Sequence, residues 1–279
     1  KNIITFAAFL ILMVGLGAND AMRGIFSTIF SAHFQLSTAQ LSQIVTVSYI
    51  GNLVFLAVGG FGVDILGRRK AMLLYTFLWS GAMLLFATTD SYLLLLVGMF
   101  FAMGTSTLLN TNMNLITTGM FAAAPGFFVN FLFFIQGIGT SGSQYILGSH
   151  ADGFAFWQHT NLVLLILGAV AFVLLLFCNV PEEAAAPADA PAQKGGYDWR
   201  IIVPYVLVFG FYFIAEHGVM NWMVAYGVDG LGLPQASAAK YLSVFFGGMM
   251  IGRLCLSPLV DKLGALKSLA AFGGVSCVL

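Results

Sequence analysis

Residues 60–70 read Gly60-Phe61-Gly62-Val63-Asp64-Ile65-Leu66-Gly67-Arg68-Arg69-Lys70, preceded by an aromatic at Tyr49 and a glycine at Gly51. The same order returns at a constant offset of 197 residues: Phe246 and Gly248, then Asp261-Lys262-Leu263-Gly264-Ala265-Leu266-Lys267. Both stretches lie between long apolar runs. A glycine lets the chain turn sharply between two helices, and basic residues keep a short loop on the cytoplasmic side. An aspartate at a helix end can accept hydrogen bonds from a neighbouring loop or helix N-terminus. Topology alone needs only the positive charges, so the repeated aspartate points to a second role. Two such stretches, each at the end of an even-numbered apolar run, imply two homologous halves, as in many transporter folds.

The composition around these stretches agrees. Of 279 residues, 59% are hydrophobic and only 8% are charged, with 11 basic and 11 acidic residues. An ordinary soluble domain has about 25% charged residues, so a soluble globular fold is excluded. Disorder, which needs low hydrophobicity and high net charge, is excluded as well. Zero net charge gives no electrostatic case for a nucleic-acid partner. Cys178, Cys255 and Cys277 sit in apolar runs without metal-ligand spacing, so neither a metal nor a cofactor is expected.

A spanning helix needs about 20 mainly apolar residues. Eight segments qualify, near 3–31, 43–63, 70–89, 91–120, 126–148, 159–180, 200–228 and 239–260, and a ninth begins near Ser268. An all-α membrane protein is expected. The plainly polar stretch Pro181–Asp198 carries three of the seven prolines and reads as a linker. The domains are then a six-helix bundle over 1–180, a cytoplasmic linker over 181–198 and a partial second bundle over 199–279. Lys1, the Arg68–Lys70 cluster, Lys194, Arg200, Lys262 and Lys267 fall on one side if the spans alternate, against Lys240 on the other. The excess of positive charge makes that side, with the N-terminus and the linker, cytoplasmic in an inner (plasma) membrane.

Ionisable and amide residues inside spans are costly and mark function. Span one carries Asn19, Asp20 and Arg23, the last two at i,i+3 on one face. They would either pair, leaving Asp20 ionised and structural, or stand apart, leaving Asp20 free to take a proton. Span four carries Asn110, Thr111, Asn112 and Asn114, with Asn110 and Asn114 on one face at i,i+4. Span five has Asn130, Gln136 and Gln144, and span seven has Tyr212, Glu216, His217, Asn221 and Trp222. The repeat offset places Asn19 on Glu216 and Asp20 on His217, so both halves carry ionisable groups at one depth of their first helix, as midplane binding between repeats requires. Glu216 is a candidate second proton-carrying carboxylate. Asn19, Asn110, Asn114, Gln136, Asn221 and Trp222 are candidate solute contacts. Amides both donate to and accept from hydroxyls, and an aromatic suits the flat C–H face of a sugar ring.

The loop at Gly60–Lys70 resembles the signature loop of the major facilitator superfamily, Gly-x-x-x-Asp-basic-x-Gly-basic-basic. Ile65 stands where a basic residue is usual, and Ser257 where the second copy would begin with Gly. The resemblance covers the chain in its span count, six-plus-six layout and linker. It implies twelve helices, of which this chain would carry eight and the start of a ninth. It also implies a conformational latch from Asp64, Gly67 and Arg68, with Asp261 and Gly264 as second-half counterparts. Gly17-Ala18-Asn19-Asp20-Ala21-Met22-Arg23-Gly24 resembles the first helix of the fucose–proton symporter branch, where an Asn-Asp pair includes a protonation site. That branch has a glutamate in span four, whereas Thr107 falls near its place here.

The expectation is therefore a secondary transporter, not an enzyme. It would couple uptake of a small polar solute, a monosaccharide foremost, to a proton through Asp20 and Glu216, as a monomer in the lipid bilayer. Sodium as the coupling ion, a non-sugar solute, efflux, and a non-transporting sensor on the same fold stand as alternatives. Gly139-Thr140-Ser141-Gly142 also matches the Gly-x-Ser-Gly of rhomboid-type proteases, with His217 as a notional base. That match leaves the repeat, the linker and Asp20 unexplained.

Overall fold

The computed structural model describes residues 2–122, 125–178 and 199–278, and every regular element among them is helical. The order is α1 (Asn2–Ile25), α2 (Ser27–Phe34), α3 (Thr38–Leu66), α4 (Arg68–Thr88), α5 (Tyr92–Met120), α6 (Pro125–His150), α7 (Phe154–Phe177) and α8 (Trp199–Ala225). α8 runs on into one π-helical turn, Tyr226–Gly230, and α9 (Gln235–Leu263) and α10 (Ala265–Val278) follow. Each expected span is a helix. The expected linker at 181–198 lies outside the described residues.

The first span departs from expectation by a bend at Phe26, whose backbone leaves helical geometry (φ −96°, ψ 9°). Hydrogen bonds Phe26 N→Met22 O (3.0 Å) and Phe30 N→Phe26 O (2.8 Å) carry the ladder across it. Ser27 Oγ donates to the Gly24 carbonyl at 2.9 Å, local back-bonding that bends helices. The last helix starts at Ala265 rather than near Ser268.

By length and composition, α1, α3, α4, α5, α7 and α8 can each cross a membrane. Their large apolar side chains turned outward, such as Leu53, Val58, Phe77, Val163, Ile166 and Phe177, give a surface suited to lipid. α9, expected to span as well, includes residues outside those described; α6, also expected to span, is as long but falls outside that set. The reason is positional: α6 packs between α1 and α9, so its Gly, Ser, Thr and Gln residues meet protein. Helix interfaces in membranes favour such small and polar residues. The main core lies among α1, α4, α5 and α7, around Phe9, Leu16, Met72, Trp79, Leu109 and Trp157. A smaller cluster of Met220, Val224, Ala239, Leu242 and Phe246 joins α8 to α9.

Glycine sets the closest approach. α1 and α6 run parallel, with Phe6 against Phe128 and Phe131 at one end and Gly148 near Ile25 at the other. A Cβ on Gly17 would overlap the Gln136 carbonyl, and one on Gly139 would overlap that of Val14. The two backbones therefore touch, and Thr140 Oγ1 donates across to the Gly17 carbonyl at 3.2 Å.

The repeat seen in sequence has a backbone counterpart. Gly67 and Gly264 both have positive φ, 77° and 81°. Each carbonyl then opens the following helix, Gly67 O accepting from Ala71 N at 3.0 Å and Gly264 O from Ser268 N at 3.1 Å. Contacts between the segments on either side of residues 179–198 gather at the end remote from these turns. Gly24 abuts the Met220 carbonyl and Gly148 abuts Ala239. Gln235 accepts from Thr28 Oγ1 at 2.9 Å and donates to the Ile25 carbonyl at 2.6 Å. Ser141 and Ser243 each donate to the other's carbonyl, at 2.9 and 2.7 Å.

Candidate functional site

Asp20 lies one turn beyond Gly17, so the bare α1–α6 contact brings its short side chain to Gln136. Gln136 Nε2 donates to Asp20 Oδ2 at 3.5 Å, and Asn110 Nδ2 donates to Gln136 Oε1 at 3.1 Å. Asn114 Nδ2 donates to Asn110 Oδ1 at 3.2 Å. Four residues from α1, α6 and α5 thus form one chain of hydrogen bonds. An ionised carboxylate only accepts, so every amide in the chain points its NH2 towards Asp20. The i,i+4 spacing of Asn110 and Asn114 puts both on the face turned to α6.

A second cluster stands on the other side of Arg23. This guanidinium is 4% exposed and lies 5.3 Å from the centre of the Tyr49 ring. It makes no ion pair with Asp20, and its Nε and Nη1 have no hydrogen-bond partner. The two side chains are thus not in direct contact, although the Arg23 charge still acts on Asp20. Asn221 Nδ2 donates to the Tyr49 hydroxyl at 3.0 Å and to the His217 carbonyl at 2.7 Å. His217 meets Tyr49 edge-on with ring centres 5.4 Å apart, and the charges of Glu216 and Arg23 both act on it.

The remaining candidates are placed differently. Asn19 is buried and donates to Met103 Sδ at 3.3 Å, turned towards α5 and away from Gln136. Trp222 packs, partly buried, on the core of the first segment. Thr107 donates to Asn52 Oδ1 at 2.9 Å. In the loop, Arg69 Nη2 donates to the Leu176 carbonyl at 2.6 Å, capping the end of α7. The side chains of Asp64 and Asp261, like that of Arg253, lie outside the described residues. Ser141 is engaged by Ser243, and the His217 ring by the Phe213 carbonyl at 3.1 Å. No contact joins that serine to that histidine, so the protease arrangement is not assembled.

Sequence reasoning missed Tyr49 as a site residue; it stood in the repeat, but its place beneath Arg23 is a tertiary fact. It also passed over Gln144, which is fully buried with both amide atoms unpartnered. The signal was there, an amide two turns from Gln136 on the same helix. Unpartnered too are Asp20 Oδ1, Asn114 Oδ1 and Asn221 Oδ1. Buried polar atoms are nearly always hydrogen-bonded, so such a concentration of exceptions marks a place where another polar molecule belongs.

The Major Facilitator Superfamily model matches residues 6–279. The chain belongs to that family. It is therefore a multi-pass membrane protein of a transporter family, with two repeated sets of helices. No curated protein matches the sequence. Among solved structures, the crystal structure of a D-xylose–proton symporter is similar with a TM-score of 0.66 at 15% identity, over 93% of this chain and 68% of that one. The likeness is one of fold.

Proposed function

We propose that the protein takes up a monosaccharide together with a proton, by alternating access between its two halves. It would act as a monomer in the inner (plasma) membrane, with the N-terminus and linker cytoplasmic. The observation that carries this is Asp20: a carboxylate in the membrane interior, held by one amide at 3.5 Å, with its other oxygen unpartnered. A charged carboxylate is costly in a closed, dry cavity, so binding a proton favours occlusion and reorientation. The unpartnered atoms of Asp20, Arg23, Asn114, Gln144 and Asn221 include both donors and acceptors, which hydroxyl groups satisfy in either sense. Tyr49 and Trp222 supply aromatic faces. The similarity in fold to a D-xylose–proton symporter supports the same choice of solute and ion. Asp64 and Arg68 would latch the cytoplasmic side, with Glu216 as a second proton carrier.

A second solute class has an observation of its own. The buried Arg23 with unpartnered nitrogens would suit a carboxylate, so a sugar acid competes with a neutral sugar. The test is solute-induced proton movement into vesicles carrying the full-length protein, with pentoses including D-xylose, hexoses, deoxyhexoses, amino sugars and hexuronates as the panel. Alkalinisation with one of these, lost in Asp20→Asn while some solute exchange survives, is the expected result. Accumulation that persists in Asp20→Asn would refute the proton assignment.

A further inference from the structure

The chain Asn114→Asn110→Gln136→Asp20 has a direction, and its far end is open. Asn114 Oδ1 is buried without a partner, although Asn110, the neighbour whose own oxygen accepts from Asn114, carries an NH2 that would fit it. We propose that Asn114, Asn110, Gln136 and Asp20 form a reversible amide relay. The charge on Asp20 sets the direction of every hydrogen bond and so decides whether Asn114 ends the chain as an acceptor or as a donor.

The logic follows from the donor and acceptor inventory. With Asp20 ionised, Gln136 must donate to it, which obliges Gln136 to accept from Asn110 and Asn110 from Asn114. The group left over is a carbonyl oxygen, as found. A proton on Asp20 makes it a donor towards Gln136. Gln136 then turns its carbonyl to Asp20 and its NH2 to Asn110. Asn110 turns its NH2 to Asn114, satisfying the oxygen that is now unpartnered. No backbone movement is needed, since side-chain oxygen and nitrogen exchange places in amides of equal shape. The link that switches is the weakest one, Gln136 to Asp20 at 3.5 Å.

The reversal leaves the Asn114 NH2 as a buried donor, which is more costly to orphan than a carbonyl. An acceptor oxygen on the solute removes that cost. A sugar ring oxygen, a carbonyl or a carboxylate qualifies, since none of them has a proton to offer. Proton and solute then favour each other's binding, and linkage makes the effect equal in both directions, typically about 5–150-fold. Asn110 and Gln136 are positioning residues in this scheme.

The charged and titratable groups coupled to Asp20 are Arg23 on its own helix and Tyr49 of α3, and Arg23 in turn acts on His217 of α8, which Glu216 adjoins. α5 carries no charged residue, and the titratable residues of α6 are Tyr145 and His150, both towards its far end. The relay rests on Asp20 being the proton site, and the experiment separates the two. Infrared difference spectra between acid and alkaline pH are recorded on the full-length protein in vesicles, with no solute added. A protonated-carboxyl band that disappears in Asp20→Asn identifies the proton site. The relay requires side-chain amide carbonyl bands to change with it, all lost in Asp20→Asn. The amide change should shrink in Asn110→Ala, and shrink by the last residue alone in Asn114→Ala, a milder variant at the end of the chain. A carboxyl band that titrates and disappears in Asp20→Asn, with amide bands identical in wild type, Asn110→Ala and Asn114→Ala, overturns the relay and leaves the proton site standing. Absence of any Asp20 carboxyl band overturns both.

Discussion

Arg23 shows how much of the site a single residue can hold. Its charge reaches Tyr49 and His217, and its guanidinium rests on the Tyr49 ring while two of its nitrogens go unpartnered. A desolvated cation–π contact contributes about 2 kcal/mol, and one ordinary hydrogen bond about 0.5–1.5 kcal/mol. Tyr49→Phe removes the hydroxyl that accepts from Asn221 and keeps the ring, whereas Tyr49→Leu removes both. The apparent unfolding temperature of the purified protein should fall slightly for the first and clearly further for the second. Equal losses would mean that the ring contributes nothing beneath Arg23. At this scale the sequence showed the costly residues: Asp20, Gln136, Asn110 and Asn114 stand out as polar groups in apolar spans, and the spacing of the two asparagines put them on one face. It did not show that Arg23 would turn to Tyr49 instead of Asp20, because both partners lie within reach and the choice depends on α3.

Helices α1 and α6 depend on the absence of side chains. Gly17 and Gly139 each face a backbone carbonyl of the other helix, whereas a Cβ on Gly142, one turn along α6, would meet nothing within 4 Å. Gly17→Ala and Gly139→Ala must push the helices apart, an overpacking change worth about 1–3 kcal/mol. Gly142→Ala should be neutral or slightly stabilising, since alanine favours the helix by about 1 kcal/mol. Thermal unfolding of the three variants checks this. The first two should also lose proton-linked uptake out of proportion to their loss of stability, because the gap carries Gln136 away from Asp20. Similar behaviour of all three would show that the close approach does not position the site. The spans themselves were legible, since runs of apolar residues admit few other structures in a membrane. Which glycines matter was not, because that depends on what a partner helix presents. The bend at Phe26 was hidden as well, for the apolar pattern runs through it unbroken.

The repeat made the plan of the whole molecule legible. Asp64 to Lys70 and Asp261 to Lys267 share Asp, Leu, Gly and Lys in register, and Gly67 and Gly264 both take positive φ. Which end of the molecule would be closed could not be read, because a transporter's single sequence has to allow both ends to close in turn. The structure is closed at the end remote from those glycines, and Ser141 and Ser243 lie within that contact, their hydroxyl oxygens 3.2 Å apart. Disulfide geometry needs Cβ atoms about 3.5–4.5 Å apart, and the exchanged hydrogen bonds keep these two short side chains facing one another. Ser141→Cys with Ser243→Cys, in the full-length protein with its native cysteines replaced, should therefore cross-link on mild oxidation. If the halves must part here once in every cycle, the cross-linked protein carries no solute and recovers after reduction, while each single cysteine variant is indifferent to oxidant. The two hydroxyls also exchange hydrogen bonds across the contact, so the reduced double variant should favour separation of the halves at this end, seen as faster labelling of a reporter cysteine placed at Thr28. Transport that continues at the full rate with the cross-link formed would mean that this contact stays shut throughout the cycle, and that access alternates by some movement other than the parting of α6 from α9.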